Sequence, residues 1–342
     1  MPIEIINPIE YPNWDKLLLT NKDYSFFHTS SWARVLFESY GYKPIYFTLI
    51  DGGKLSALIA VMEINSWLTG KRGVSLPFTD FCSPIVYEKS QFKEIIKSLI
   101  EYGRKGGWKY IEVRGGKDIF QDITTSSSFY THTLDLTRNE HEIFSSFRVS
   151  TKQNIKKAIK EGVNVILSHS LESVKEFCRL NRITRKHHGL PPQPYYFFKK
   201  VHEHIISNKK GVVVLASYQK KNIAGAICFQ SGNKAIYKFG AFDRRYQYLR
   251  PTNLLIWEII KWYEQNGFKT FSFGRTEPEN TGLLQFKRGW GTKQEIINYY
   301  KYNLVKDAFV KEPGGKTSYN IFKLLPSPLL NLTGFLFYKH VG

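Results

Sequence analysis

The sequence predicts a mixed α/β protein made of two similar domains in tandem, because two distant stretches repeat one pattern. Residues 107–114 and 267–275 each contain a glycine suited to a helix end, an aromatic–lysine pair, and an alternating apolar strand that closes with arginine. A length of 342 residues is also typical of two domains rather than one. We therefore expect a duplicated domain, each copy with a central sheet of several strands.

The segments around the two stretches repeat as well. Each stretch is preceded by a helical pattern, at 91–100 and 254–262, and Pro251 suits the first turn of the second helix. The order of helix, strands, helix, strand and strand occurs twice, which a duplication explains better than a solenoid with a period of ~20–50 residues. The other predicted elements are helices at 31–40 and 171–187 and strands at 44–49, 55–64, 130–136, 212–218, 223–230, 234–240 and 296–304.

The composition indicates a folded protein with an anionic partner. Hydrophobic residues make up 42% of the chain and charged residues 23%, which argues against general disorder. The excess of 49 Lys and Arg over 29 Asp and Glu gives a formal net charge of +20. We therefore expect a phosphate-bearing substrate, a tRNA or an acidic membrane face as partner. Cys82, Cys178 and Cys228 are too far apart to predict a disulfide framework or a metal site, so we expect no bound metal.

A basic segment lies between the two halves. Arg148, Lys152, Lys156 and Lys160 recur at every fourth residue, which on a helix makes one basic stripe. The stripe could hold phosphates, or the helix could be a solvated linker. The predicted domains are residues 1–145 and 166–306, joined by the basic helix at 146–165 and followed by a tail at 307–342.

The tail is rich in apolar and aromatic residues and is edged by basic ones. It could lie at a membrane interface, or it could pack across the two domains. No window has the ~18 uninterrupted apolar residues that a spanning helix needs, and the first residues lack the pattern of a signal peptide. We expect a cytoplasmic protein that is at most peripheral at the inner membrane face.

Six stretches of the chain occur together in a characteristic order and spacing. They are residues 148–162, 187–194, 237–241, 249–257, 273–276 and 282–291. Together they resemble the FemAB-related family, whose members have two tandem GNAT-like domains. The resemblance implies an acyltransferase or aminoacyltransferase that forms an amide on a cell-envelope precursor, of peptidoglycan or exopolysaccharide. The implied acceptor is an anionic or lipid-linked molecule.

The resemblance leaves the donor open between aminoacyl-tRNA and acyl-CoA, with no tightly bound cofactor. Members that use tRNA commonly carry a long helical hairpin in the second domain, and the absence of a heptad-patterned insertion here weakens the tRNA-dependent interpretation. The usual CoA site needs a glycine-rich turn before a helix, but residues 243–250 contain no glycine. Relatives often carry Asp at the position of Ser272, so that position offers no general base.

Two residues are candidate catalytic groups. The resemblance implies that Lys287 lies near the reacting carbonyl, where a positive charge would stabilise the oxyanion that forms when an amine attacks an ester or thioester. The alternative is a surface lysine. His188, which precedes a proline-rich loop, could accept the proton of the amine. The alternative, which is the more common one for such a pair, is that His187 and His188 are structural or surface residues.

Seven residues are candidates for substrate binding. Arg275 closes a strand and is followed by Glu277, at a position where α/β folds often bind ligands. An ion pair between the two is the structural alternative. Arg250 and Thr252 could hold a phosphate at the start of a helix. The remaining candidates, which belong to stretches that carry the resemblance, are Arg148, Lys152 and Tyr237.

Two other functions remain compatible with the sequence. One is an acyl-CoA-dependent N-acyltransferase that acts on an amino sugar. The other is a non-catalytic protein that binds nucleic acid or supports assembly, because the chain is basic and rich in Tyr and Phe. The sequence has no helix-turn-helix, zinc-finger or RNP signature, so we expect no specific DNA binding.

Overall fold

The computed structural model describes residues 2–312 and 326–341 and divides into two compact units. The described parts of Met1–Tyr130, Ile296–Lys316 and Leu336–Gly342 form the first unit. Those of Thr131–Glu295 and Thr317–Phe335 form the second unit.

The elements are numbered in chain order. The helices are α1 (Trp14–Leu18), α2 (Ser30–Tyr40), α3 (Lys89–Lys105), α4 (Glu140–Ser146), α5 (Val149–Lys160), α6 (Leu171–His187), α7 (Tyr195–Val201), α8 (Pro251–Gln265), α9 (Thr281–Arg288) and α10 (Ser327–Val341). The strands are β1 (Glu4–Ile6), β2 (Lys43–Asp51), β3 (Lys54–Ser66), β4 (Gly70–Val74), β5 (Ile85–Val86), β6 (Tyr110–Arg114), β7 (Ser127–Asp135), β8 (Asn164–Ser168), β9 (Gly211–Tyr218), β10 (Lys221–Ser231), β11 (Lys234–Phe242), β12 (Thr270–Thr276), β13 (Lys293–Asn303) and β14 (Ala308–Phe309).

The first unit contains a mixed sheet with the strand order β1-β2-β3-β4-β6-β13. Neighbouring strands are antiparallel except β4 and β6, which are parallel. Helix α3 buries Phe92, Ile95 and Leu99, whose spacing of three and four residues places them on one face against the sheet. Trp108 completes this core, and its indole nitrogen donates to Glu63 Oε2 at 2.6 Å.

The second unit contains a sheet with the strand order β7-β12-β11-β10-β9-β8. The strands from β8 to β11 are antiparallel, and β11 and β12 are parallel. Helix α8 begins with Pro251 and buries Leu255, Ile259 and Tyr263, which are four residues apart and share one face. The sheet and α8 therefore enclose a core of their own.

The two units repeat one plan, which confirms the predicted pair of mixed α/β domains. In each, three antiparallel strands lead into a helix, α3 or α8, and then into a strand that pairs in parallel with the third strand. Gly107 and Gly267, which follow the two helices, have φ of +67° and +77°, the left-handed conformation that glycine adopts at a helix end. The strand beyond β6 in the first sheet is β13, and the strand beyond β12 in the second sheet is β7.

The structure also describes the predicted basic segment and part of the predicted tail. The basic segment forms α5, which lies in the second unit. In the predicted tail, residues 313–325 lie outside the described residues, and α10 follows them. Within the parts of the chain that the structure describes, no helix is long and apolar enough to cross a membrane.

Candidate functional site

The second sheet opens where β11 and β12 separate. These parallel strands pair only from Lys234 to Ile236 and from Thr270 to Ser272, although β11 continues to Phe242 and β12 to Thr276. The carboxyl ends of parallel strands are common positions for ligand-binding groups, so this opening is the candidate site.

Lys287 lies at the carboxyl end of β12. Its ammonium donates to the backbone carbonyls of Gly274 and Arg275, both at 3.0 Å. The residue is only 5% exposed, because α9 turns Leu284 and Lys287, three residues apart, towards the interior. A buried ammonium requires hydrogen-bond acceptors, which the two carbonyls provide. The two hydrogen bonds therefore hold the Lys287 ammonium in one position at the end of β12.

The backbone of Gly274 allows two consecutive carbonyls to meet one ammonium. Successive carbonyls of an extended strand point to opposite sides, but Gly274 has φ of +67°, which interrupts that alternation. Its amide donates to the Ser272 hydroxyl at 3.2 Å, which stabilises the irregular turn. Ser272 thus supports the backbone at the position where relatives often carry Asp.

A buried histidine lies in the electrostatic field of Lys287. His132, on β7, is fully buried, and its Nε2 binds Gln294 Oε1 at 3.1 Å. Arg288 Nε donates to the same oxygen at 2.7 Å, so that oxygen is the acceptor and Nε2 of His132 carries the proton. Burial, followed by the positive charge of Lys287, lowers the pKa of His132 to about 4. His132 is therefore a neutral imidazole at neutral pH.

Three buried polar atoms on β7 and β12 have no hydrogen-bond partner among the residues that the structure describes. They are His132 Nδ1, Thr131 Oγ1 and Thr276 Oγ1. Buried polar groups are normally paired, and these atoms lie on the neighbouring strands β7 and β12. Thr131 and His132 are consecutive, so their side chains point to opposite faces of the sheet. The sequence analysis missed them. The one local signal was a run of polar residues, Thr131 to Thr133, in a predicted strand.

Three predicted binding residues lie on or directly after the two strands of the opening: Tyr237 on β11, Arg275 on β12 and Glu277 just beyond β12. Arg275 forms an ion pair with Glu277 at 3.7 Å, and both side chains are partly exposed. Tyr237 is the first residue of β11 beyond the last paired residue, Ile236. Burial raises the pKa of the Tyr237 hydroxyl, which is therefore protonated at neutral pH.

The predicted basic residues before and within α5 approach the end of α9. Arg148 precedes α5, and its amide donates to the carbonyl of Gly289 at 2.9 Å. Lys152 donates to the carbonyl of Ser145 at 3.2 Å. Arg148 is exposed, and so are Lys156 and Lys160 further along the stripe. The structure therefore brings the start of the basic stripe close to the segment that carries Lys287.

Arg250 and Thr252 lie at the start of α8. Arg250 has φ of +57°, a left-handed conformation that is unusual for a residue with a side chain. The residues before it, Arg244–Leu249, form a short 3-10 helix. Pro251 then removes one of the amide donors that a helix start offers to a phosphate.

His188 lies at the end of α6, whose Thr184 is hydrogen-bonded to the backbone of Phe242 at the carboxyl end of β11. His188 caps the end of α6 and is exposed, and its ring packs edge-on against His187 at 5.3 Å between ring centroids. His187 in turn binds Arg244 through Nε2. The adjoining loop contributes to two cavities, of about 560 Å³ and 330 Å³. The described residues that line them include neither Lys287 nor His188.

Known proteins share both the sequence motifs and the fold. Residues 145–288 match the acetyltransferase (GNAT) domain family. The Lipid II:glycine glycyltransferase of Staphylococcus haemolyticus is 21% identical over 245 residues, which cover 51% of this chain and 58% of that protein. The protein of the same name from Staphylococcus epidermidis is 34% identical over 89 residues, 24% of this chain and 21% of its own length. The chain thus spans little more than half of the first relative.

Solved structures agree on the architecture. The crystal structure of FemX superposes with a TM-score of 0.70 at 15% identity, covering 87% of this chain and 97% of that one. A tandem GNAT protein from the clavulanic acid biosynthesis pathway gives a TM-score of 0.54 at 9% identity, covering 89% and 99%. The fold is therefore that of a tandem GNAT-like protein. In sequence, the chain is also similar to the Lipid II:glycine glycyltransferases named above.

Proposed function

We propose that this protein is an aminoacyltransferase that forms an amide on an amine of a lipid-linked peptidoglycan precursor. The observation that carries the proposal is the buried Lys287 ammonium at the carboxyl end of β12, in a GNAT-type sheet. The relatives named Lipid II:glycine glycyltransferase support the choice of reaction and acceptor.

The reaction follows from ordinary acyl-transfer chemistry. The acceptor amine attacks the ester carbonyl of the donor, and the negative charge that develops on the carbonyl oxygen is stabilised by the Lys287 ammonium. The carbon–oxygen bond to the leaving alcohol then breaks, and the amide forms. The amine must lose a proton in this sequence and the leaving oxygen must gain one, and we assign both transfers to the imidazole of His188.

The binding residues form two groups in this proposal. Tyr237 on β11, Arg275 on β12 and Glu277 directly after β12 would position the reacting ends. The others are basic or polar residues near helix starts, where phosphates bind readily, namely Arg148, Lys152, Arg250 and Thr252.

For the donor, we propose an aminoacyl-tRNA rather than an acyl-CoA. The turn before α8 has no glycine, and its helix starts with Pro251, so fewer backbone amides face a pyrophosphate there. The net charge of +20 suits a polyanionic donor. Acyl-CoA-dependent acylation of an amino sugar remains the second candidate, because the matched family is one of acetyltransferases.

One assay separates these functions. The full chain is incubated with radiolabelled glycyl-tRNA or radiolabelled acetyl-CoA, and with Lipid II in vesicles or an amino sugar as acceptor. A staphylococcal Lipid II:glycine glycyltransferase serves as the positive control. We expect label from glycyl-tRNA in the peptide of Lipid II. Transfer only from acetyl-CoA would favour the second candidate, and no transfer beside a working control would refute both.

We also propose that the first unit contacts the membrane through one exposed corner. Trp67 is 84% exposed in the turn between β3 and β4, and Phe337 on α10 is 45% exposed. The turn is fastened to the end of α10, since Ser66 binds His340 Nδ1 at 2.8 Å and Arg72 donates to the His340 carbonyl at 2.8 Å. Exposed aromatic residues beside basic ones, here Lys339, are typical of surfaces that bind anionic lipid.

A further inference from the structure

The larger cavity of the second unit lies between α6, the loop from Pro192 to Pro194, and α10. Its volume of about 560 Å³ is in the range of small-molecule sites. Apolar surface comes from Pro192, Tyr195 and Phe335. Burial raises the pKa of the Cys178 thiol in the wall to about 12, so this side chain is neutral and offers no nucleophile at neutral pH.

The same cavity has a cationic side. Lys175 and Arg182 are seven residues apart on α6, which places them on one face of the helix. Arg182 is exposed, and its Nε makes a long contact to the Cys178 carbonyl at 3.4 Å. The neighbouring cavity of about 330 Å³ shares Arg182 and adds Lys186. None of the described residues that line either cavity is acidic.

This combination suits a ligand with an anionic head and an apolar chain. A free phosphate or a nucleotide would leave the apolar wall unused. Lys175 already pairs with Glu172, at 2.6 Å between Nζ and Oε1, so a neutral hydrocarbon would leave Arg182 without a counter-charge from the residues that line the cavity. The apolar wall also continues outward along α10, where Leu329, Leu332 and Phe335 are three residues apart and leave half or more of their surfaces exposed.

We propose that this cavity binds the phosphate-bearing end of a prenyl chain, with Lys175 and Arg182 at the phosphate and Phe335 against the first isoprene units. The inference rests on the proposed function, and it locates the part of the protein that would bind the lipid phosphate of the proposed acceptor. Neither Lys287 nor the other proposed catalytic residue lines the cavity, so binding can be measured separately from transfer.

The test uses calorimetric titration of the full chain with three probes: farnesyl diphosphate, farnesol and inorganic diphosphate. We expect farnesyl diphosphate to bind at least tenfold more tightly than either of the others. Arg182→Gln and Phe335→Ser should each weaken it by about tenfold. Lys157→Gln is the matched control, because it removes one exposed charge from α5 without touching the cavity, and it should leave affinity unchanged. Circular dichroism checks that each variant is folded.

Three results would overturn the proposal. If inorganic diphosphate bound as tightly as farnesyl diphosphate, the prenyl group would contribute nothing to binding. If farnesol bound as tightly, the diphosphate group would contribute nothing. Folded Arg182→Gln and Phe335→Ser variants with unchanged affinity would place the probe elsewhere. The two proposals can fail separately. If the protein binds farnesyl diphosphate as expected but transfers no aminoacyl group, only the proposed transferase function is refuted.

Discussion

Replacing Lys287 with Met removes one positive charge from the carboxyl end of β12 and keeps most of the length of the side chain. If the ammonium stabilises the oxyanion, turnover should fall by about 10²–10³, the usual cost of losing one such group. The acceptor and donor affinities should change less than turnover, because the charge acts mainly when the oxyanion forms.

The structure also predicts a cost in stability. Without the ammonium, the carbonyls of Gly274 and Arg275 lose donors at 3.0 Å. A buried polar group left without a partner costs about 1–3 kcal/mol, and removing a buried charge offsets part of that. We therefore expect the free energy of unfolding of Lys287→Met to fall by about 2–4 kcal/mol, measured by urea denaturation.

A control variant in the same segment, Thr292→Val, separates the effect of lost stability from the effect of the lost charge on catalysis. Thr292 donates its hydroxyl to the Lys287 carbonyl at 3.0 Å, so Thr292→Val loosens this region by about 1 kcal/mol without altering the charge. Its single-turnover transfer rate, normalised to folded protein, should stay within about threefold of wild type. If folded Lys287→Met also kept its transfer rate within about threefold of wild type, the lysine would only hold α9 against β12 and would have no role in catalysis.

Three further predictions concern other parts of the molecule. His132 has a lower pKa in the folded than in the unfolded protein, so its contribution to stability is complete above about pH 6.5 and is lost as the pH falls towards 4. In urea denaturation across this range, the free energy of unfolding of His132→Asn should therefore fall less with decreasing pH than that of the wild type. Arg250→Asn suits the left-handed backbone, so stability should be kept while the KM for the proposed phosphate-bearing substrate rises about tenfold; an unchanged KM would remove Arg250 from the site. Trp67→Ser with Phe337→Ser should lower recovery with anionic vesicles in flotation, whereas equal recovery of wild type and variant would reject the membrane corner.

The repeated plan of the fold was predictable from the sequence because its signals are local. The glycine after each helix and the alternating strand that follows depend on neighbouring residues only, and both recur at residues 107–114 and 267–275. Helix α6 was predicted near residues 171–187, and it spans Leu171–His187 in the structure. Lys287 was found through a motif, which identifies a residue type but not its burial.

The partners of each strand and the surroundings of Lys287 were decided only by tertiary structure. Strand β7 follows β6 in the chain but lies beside β12, and β13 follows β12 but lies beside β6. Pairing of strands so distant in sequence depends on which edges are free in the folded sheets, which a local pattern does not encode. The same pairing puts His132 of β7 beside the strand whose carbonyls hold Lys287. Thus the sequence determined two α/β domains and a candidate lysine, and the long-range strand pairing determined the polar environment around it.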